Sequence, residues 1–155
     1  MRTTLIAAAV ALVASTAIDA RAQQLPSVRD TQPWELTSRG NISGQAREHY
    51  REAVEDCYRR RNDLPQIVAC LKQQLRTEDG ALNSAYTSSR SILKSSPRDL
   101  IKLRDAQRAW LQFRDKNCEF AKLVAPKGHG DEFLYDCLLA LTIDRRTELR
   151  SLIGD

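Results

Sequence analysis

The stretch that decides the fold of this chain is AQRAWLQFRDKNC, residues 106–118. It contains Trp110, the adjacent charged pair Arg114 and Asp115, and Cys118 at its end. Around it, apolar residues recur at alternating steps of three and four, which is the period of one face of an α-helix. This face consists of Leu103, Ala106, Trp110, Phe113, Phe120 and Val124, with Asn117 in the one gap. The pattern predicts a central packing helix in which Trp110 and Phe113 supply core area.

Three more helices are predicted on the same kind of evidence, and no stretch alternates as a half-buried strand does. The four predicted helices cover about 43–61, 65–94, 97–124 and 131–153. Asp63, Ser96 and Asp131 precede helices at the position where capping residues are preferred. The connections are short, so neighbouring helices should be antiparallel. The predicted fold class is therefore all-α, an antiparallel bundle of about four helices stapled by two disulfides.

The second and fourth helices also have predicted core faces. In the second helix this face consists of Ile67, Val68, Leu71, Leu75, Leu82, Tyr86 and Leu93. In the fourth it consists of Leu134, Leu138, Leu141, Leu149 and Leu152. The dipeptide Asp79-Gly80 would by itself suggest a turn between two shorter helices. One continuous second helix is preferred, because the apolar register agrees on both sides of Gly80.

The first 22 residues have the anatomy of a secretory signal peptide. Arg2 precedes an apolar run over residues 5–14, and Ala20-Arg21-Ala22 is a small-x-small site that predicts a cut between Ala22 and Gln23. A membrane anchor is the alternative, but the run is about half of the ~20 residues that cross a bilayer. We therefore expect a protein of the periplasm or a secreted protein, without a membrane span.

Two regions are predicted behind the leader. Residues 23–44 contain prolines, glycines and polar residues without a sustained period, which is typical of a flexible N-terminal extension. Residues 45–155 are predicted to form one helical domain. Removal of the leader leaves 22 basic and 19 acidic side chains, a formal balance of +3. This mixed balance does not favour nucleic acid as a partner.

All four cysteines, Cys57, Cys70, Cys118 and Cys137, lie in the predicted mature part. An even number in an exported small domain predicts disulfides. Cys57 and Cys70 flank the first predicted turn at similar distances, and Cys118 and Cys137 flank the last loop in the same way. We therefore predict the pairs Cys57–Cys70 and Cys118–Cys137, each stapling one hairpin. The alternative connectivity is Cys70–Cys118 together with Cys57–Cys137.

The sequence offers little for catalysis or metal binding. The cysteine spacings of 13, 48 and 19 lack the close pairs of a zinc site. His49 falls on a charged helix face, and His129 lies in a glycine-flanked loop, where a solvated histidine is expected. No G-x-S-x-G motif, Gly-rich phosphate loop or C-x-x-C motif occurs. We therefore expect no enzyme activity, no cofactor and no metal.

Three motifs lie on the predicted helices. They are D-x-x-L-N-x-x-Y from Asp79, A-Q-x-x-W-x-x-x-R-D-x-x-C from Ala106, and C-L-x-x-x-T-x-x-R-x-x-x-L from Cys137. Together they resemble the LprI-like lysozyme inhibitor family over about residues 56–152. The resemblance implies an exported helical bundle with disulfides. It also implies inhibition of lysozyme as the activity and a protein partner, lysozyme itself.

The motifs contain polar residues that are predicted to lie on or beside inner helix faces. The motif residues singled out are Asp79, Asn83, Tyr86, Gln107, Trp110, Arg114, Asp115, Thr142 and Arg145. Buried charges must be paired, so we expect an interhelical network in which Asp79 or Asp115 partners Arg114 or Arg145. The favoured interpretation is a network that fixes helix register. A pocket for a small anion or sugar is the alternative.

The loop over residues 125–130 is the best candidate for partner binding by position. Its central residues are Lys127, Gly128 and His129. The loop is predicted to be exposed and held rigidly by a Cys118–Cys137 bridge, although an ordinary helix connection would look the same. Because common lysozymes are basic, acidic patches such as residues 52–56 or 131–136 would also favour association.

The predicted function is that of an exported, non-enzymatic envelope protein that inhibits lysozyme, as the family resemblance implies. The alternative is a structural or adaptor protein that binds another envelope protein or a cell-wall component.

Overall fold

A computed structural model describes residues 44–59 and 63–153 of the 155-residue chain. Four α-helices account for most of this part: α1 (Gly44–Arg59), α2 (Leu64–Ile92), α3 (Pro97–Val124) and α4 (Gly130–Ile153). A short 3₁₀ turn, Leu93–Ser95, joins α2 to α3. The described residues contain no strand, so the predicted all-α fold is confirmed. The predicted signal peptide, its cut after Ala22 and nearly all of the extension lie outside the described residues.

Local sequence sets the helix limits, with two corrections to the predicted caps. Asp63 caps α2, because its carboxylate accepts a 2.8 Å hydrogen bond from the Gln66 amide. Ser96 precedes α3, but its hydroxyl donates to Asp99 at 2.6 Å and caps no backbone amide. Asp131 was predicted as the cap of α4 and lies in its first turn instead, where it pairs with Lys122. The α2 helix runs unbroken through Gly80, as predicted.

The helix α4 is the centre of the bundle, since it packs closely against each of the other three helices. Buried residues therefore occur all round its circumference. The most completely buried apolar residues of α4 include Leu139, Ala140 and Ile143, which meet α1 and α2. The prediction of one leucine face is wrong in this respect: Leu134, Leu138 and Leu141 are half-buried and Leu152 is 72% exposed.

The helix α3 is an outer helix whose main neighbour is α4. Its covered strip carries Gln107, Cys118 and Ala121, while Phe113 is 55% and Phe120 62% exposed. The prediction that Phe113 supplies core area is therefore wrong. The apolar stripe of α3 lies to one side of the strip that α4 covers, and only Leu103 and Trp110 in it pack against a core cluster.

Both predicted disulfides are present in the structure. Cys57 bonds to Cys70 across the α1–α2 hairpin, and Cys118 bonds to Cys137 across the α3–α4 hairpin. The Cα atoms are 5.5 Å apart in each pair, which is an ordinary disulfide separation. The sequence separations are 13 and 19 residues. By the loop-closure estimate, each bridge stabilises the fold by about 3 kcal/mol.

Candidate functional site

Arg114 joins three helices through hydrogen bonds. Its guanidinium donates to the Asp79 carboxylate of α2 and to the Thr142 hydroxyl of α4, each at 3.1 Å. It also donates to its neighbour Asp115 at 3.0 Å. The side chain of Arg114 is only 13% exposed, whereas those of Asp79 and Asp115 are 43% and 60% exposed. The arginine is therefore a buried cation that two more accessible carboxylates neutralise.

Trp110 lies between two arginines at the same junction. The guanidinium carbon of Arg114 is 5.2 Å from the indole centroid, and that of Arg145 is 6.0 Å away. Arg145 in turn donates to the Gln107 amide oxygen at 3.0 Å and to Glu148 at 2.7 Å. Cations at these distances are attracted to an aromatic face. The indole therefore links the two arginines and also packs against the core cluster of Leu82, Ala85 and Leu149.

A second polar cluster lies between α1 and α4, and sequence reasoning did not find it. Asp136 is fully buried, and it accepts hydrogen bonds from the hydroxyls of Tyr50 and, at 3.4 Å, Tyr58. Burial raises the pKa of Asp136 to about 7, although the hydrogen bond from Tyr50 acts in the opposite direction and the nearby Glu132 adds to the increase. Burial also raises the pKa of both tyrosines. Among the described residues, the second carboxyl oxygen of Asp136 has no hydrogen-bond partner.

The same cluster corrects the prediction of an acidic surface patch over residues 131–136. Asp136 is 0% and Glu132 8% exposed, so neither carboxylate is available to a partner. Asp136 contacts Tyr50 across 86 positions of sequence, and no local pattern signals such a contact. The other predicted acidic patch, Glu52, Glu55 and Asp56 on α1, is exposed.

A third polar cluster joins α1, α2 and α4 around Glu78, which is 5% exposed. Its carboxylate bonds to His49 Nε2 and accepts from Arg146, each at 2.8 Å. His49 therefore belongs to an interhelical polar cluster, a contact that its position on a charged helix face did not predict. A groove of about 330 Å³ opens beside it, lined by Gln45, His49, Arg146, Thr147, Arg150 and Ser151.

The loop between α3 and α4 is a tight and well-supported turn. The amide of His129 donates to the Pro126 carbonyl at 2.9 Å, and Gly128 has φ +90°. This is the arrangement of a type II turn, which favours glycine at its third position. On either side, Lys122 pairs with Asp131 at 2.8 Å and His129 bonds to Glu132 at 2.7 Å. The Cys118–Cys137 bridge ties the two helices together below the turn.

The last turn of α3, next to this loop, exposes apolar side chains. Leu123 is 79%, Phe120 62% and Val124 42% exposed. Leu123 and Val124 follow Phe120 by three and four residues, so each is a neighbour of Phe120 on the helix surface. Exposed apolar groups that adjoin one another mark interaction sites more often than isolated ones do.

A comparison with known families assigns the chain. The family model described as lysozyme inhibitor LprI matches residues 44–149, which includes all four helices except the end of α4. The chain belongs to the LprI lysozyme inhibitor family.

Two relatives of this LprI family protein are called uncharacterized. Protein YecT of Escherichia coli (strain K12) is 34% identical over 85 residues, which cover 46% of this chain and 52% of the relative. A protein of Rhizobium meliloti (strain 1021) is 31% identical over 96 residues, which cover 54% of this chain and 69% of the relative. The matched regions thus span about half of the first relative and about two thirds of the second. No solved structure matches the chain.

Most of the motif residues that were predicted to form a network meet at the junction of α2, α3 and α4. The structure brings together Asp79, Gln107, Trp110, Arg114, Asp115, Thr142 and Arg145. Tyr86 packs beside them in the cluster of Leu82 and Leu149. Asn83 is exposed, so the prediction that it lies on an inner face is wrong. In this LprI protein the arginines of the network are bonded to other side chains, which fits a role in holding the helices in register.

The described part of the chain gives no sign of a metal centre or a membrane span. No group of three or more His, Cys, Asp or Glu side chains within it is arranged to hold a metal ion. None of the four helices combines the length and the apolar composition that crossing a bilayer requires.

Proposed function

We propose that this protein is an exported, non-enzymatic inhibitor that binds lysozyme and blocks its action on the cell wall. The observation that carries the proposal is the match to the lysozyme inhibitor LprI family over residues 44–149. Two disulfides support an oxidising compartment such as the periplasm or the exterior. The signal peptide predicted from residues 1–22 supports the same location.

The state of the ionisable groups supports a binding role over a catalytic one. A general acid or base must reach the proton that it transfers. Asp136 has the strongly raised carboxyl pKa, yet it is sealed between α1 and α4. Glu78 is also buried, and both of its oxygens are bonded to His49 and Arg146. These groups are therefore suited to holding the helices together.

One observation favours the alternative of an adaptor that binds another envelope protein or the wall itself. The predicted mature chain has a formal charge of +3, and common lysozymes are also basic. Like charges slow association between two proteins. A basic protein would instead be attracted to anionic components of the envelope.

A wall-clearing assay with two hydrolases distinguishes the two functions. Purified mature protein is titrated into suspensions of cell walls that are digested either by lysozyme or by an amidase, which cleaves a different bond. An inhibitor slows lysozyme and leaves the amidase unaffected. A protein that covers the wall slows both enzymes. If neither enzyme is slowed at a large molar excess over several lysozyme types, inhibition is excluded.

A further inference from the structure

The tip of the α3–α4 hairpin combines the features of an inserted binding element. We define the tip surface as Phe120, Leu123, Val124 and Lys127. The three apolar side chains are 62%, 79% and 42% exposed, and Lys127 is exposed at the second position of the turn. The fold gains little from these apolar groups, because they are largely outside the core.

The tip surface is held in one shape before any partner binds. The Cys118–Cys137 bridge joins the two helices, and the Lys122–Asp131 pair at 2.8 Å joins them again nearer the turn. A Cβ atom at Gly130 would lie 3.3 Å from the Lys122 side chain, so the two helix ends are in close contact. A rigid element loses little conformational entropy on binding, which favours tight association.

The charge of the tip surface is positive and local. Lys122 is neutralised by Asp131, and His129 is bonded to Glu132. Lys127 has no acidic partner among the described residues. It is therefore the uncompensated charge at the corner of the turn, with apolar groups beside it.

We infer that the tip surface enters the substrate cleft of lysozyme, an inference that rests on the proposed function. Glycosidase clefts place two carboxyl groups on either side of the scissile bond. The Lys127 ammonium is complementary to such a pair, and Phe120, Leu123 and Val124 pack against the apolar wall of the cleft. This attraction between the Lys127 ammonium and the carboxyl groups of the cleft is local, so it can act although both proteins carry a net positive charge.

The test compares matched variants at the two ends of α3. Phe120→Asp, Leu123→Asp and Lys127→Glu change the tip surface. Ile101→Asp is the apolar control, because Ile101 is 51% exposed at the other end of the same helix. Lys102→Glu is the charge control, because its side chain is 72% exposed and its ion pair with Asp99 is long, at 3.7 Å. Circular dichroism and unfolding curves show whether each variant is folded, and the inhibition constant is measured for each.

The expected result is a loss of inhibition by about tenfold or more in each tip variant, as for the loss of an interface anchor. The two controls change the inhibition constant by less than about twofold. With a soluble oligosaccharide substrate, the wild-type protein raises KM and leaves kcat unchanged, since it occupies the cleft.

Three outcomes overturn the inference and leave the proposed function standing. If the tip variants and the control variants have the same inhibition constant as the wild-type protein, the interface lies elsewhere. Inhibition that lowers kcat without raising KM places it outside the cleft. If the wild-type protein is a dimer, and the tip variants are monomers with an unchanged inhibition constant, the tip is a contact between copies of this chain. If the wild-type protein does not inhibit any lysozyme, the proposed function itself fails.

Discussion

We predict that the buried carboxyl of Asp136 makes the free energy of unfolding fall as the pH rises toward neutral. Its environment consists of Tyr50 and Tyr58 of α1 and Glu132 one turn earlier on α4. Burial disfavours the charged carboxylate and raises the pKa of Asp136 to about 7. The substitution Asp136→Asn keeps the shape and the acceptor for the Tyr50 hydroxyl but removes the titrating proton. It therefore isolates the effect of this one group.

The magnitude follows from the difference between the folded and unfolded pKa values of Asp136. The unfolded chain releases its proton near pH 3.8, whereas the folded chain keeps it up to about pH 7. Between these values the folded state holds more protons, so the free energy of unfolding falls as the pH rises. The total loss is on the order of 4 kcal/mol, and on the order of 2 kcal/mol of it falls between about pH 5 and pH 7.

Urea unfolding at pH 5, 6, 7 and 8, followed by circular dichroism, measures the effect. We expect the free energy of unfolding of Asp136→Asn, relative to wild type, to increase over this range and to level off above about pH 7. Asp131→Asn is the control on the same helix, because its pairing with Lys122 lowers the pKa of Asp131 below 3.8 and it stays charged throughout. If the free energies of unfolding of Asp136→Asn and wild type differed by the same amount at every pH, the raised pKa of Asp136 would be refuted.

Two further substitutions test the packing of α3 and the role of its disulfide. Trp110→Ala should lower the free energy of unfolding by about 3 kcal/mol, because it removes a half-buried indole from the core cluster. Phe113→Ala is its control and should lower the free energy of unfolding by less than about 1 kcal/mol, since Phe113 is 55% exposed. If urea unfolding showed equal losses for the two variants, the apolar stripe would be the core face of α3 after all. Replacing both Cys118 and Cys137 by serine should lower stability by about 3 kcal/mol, given their separation of 19 residues. Thermal and urea unfolding without reductant would contradict this if the double variant were as stable as wild type.

The helix limits and the disulfide pairing could be predicted because local signals determine them. Asp63 and Pro65 mark the start of α2, and the capping hydrogen bond from the Gln66 amide to Asp63 is present in the structure. The cysteines stand at matching distances from the two turns, so antiparallel hairpins bring each pair together. Hairpin geometry therefore converts sequence separation directly into a spatial contact.

The covered face of α3 could not be predicted, because periodicity does not say which neighbour covers a helix. Its apolar stripe includes Phe113 and Phe120, yet α4 packs on the adjacent strip with Gln107, Cys118 and Ala121. The Asp136 and Glu78 clusters were missed for a related reason. Each depends on contacts between residues 29 to 86 positions apart, and no local pattern signals such contacts.

The stretch of residues 106–118, which identifies the family, therefore serves mainly to hold the helices in register. Arg114 bonds to α2 and α4 and Trp110 packs against the core cluster and the two arginines, so neither side chain is free for a partner. The tip surface has the opposite character, since its side chains are exposed and contribute little to the core. Membership of the LprI family therefore supports the fold of this chain, whereas the tip variants test directly which surface carries the proposed inhibition.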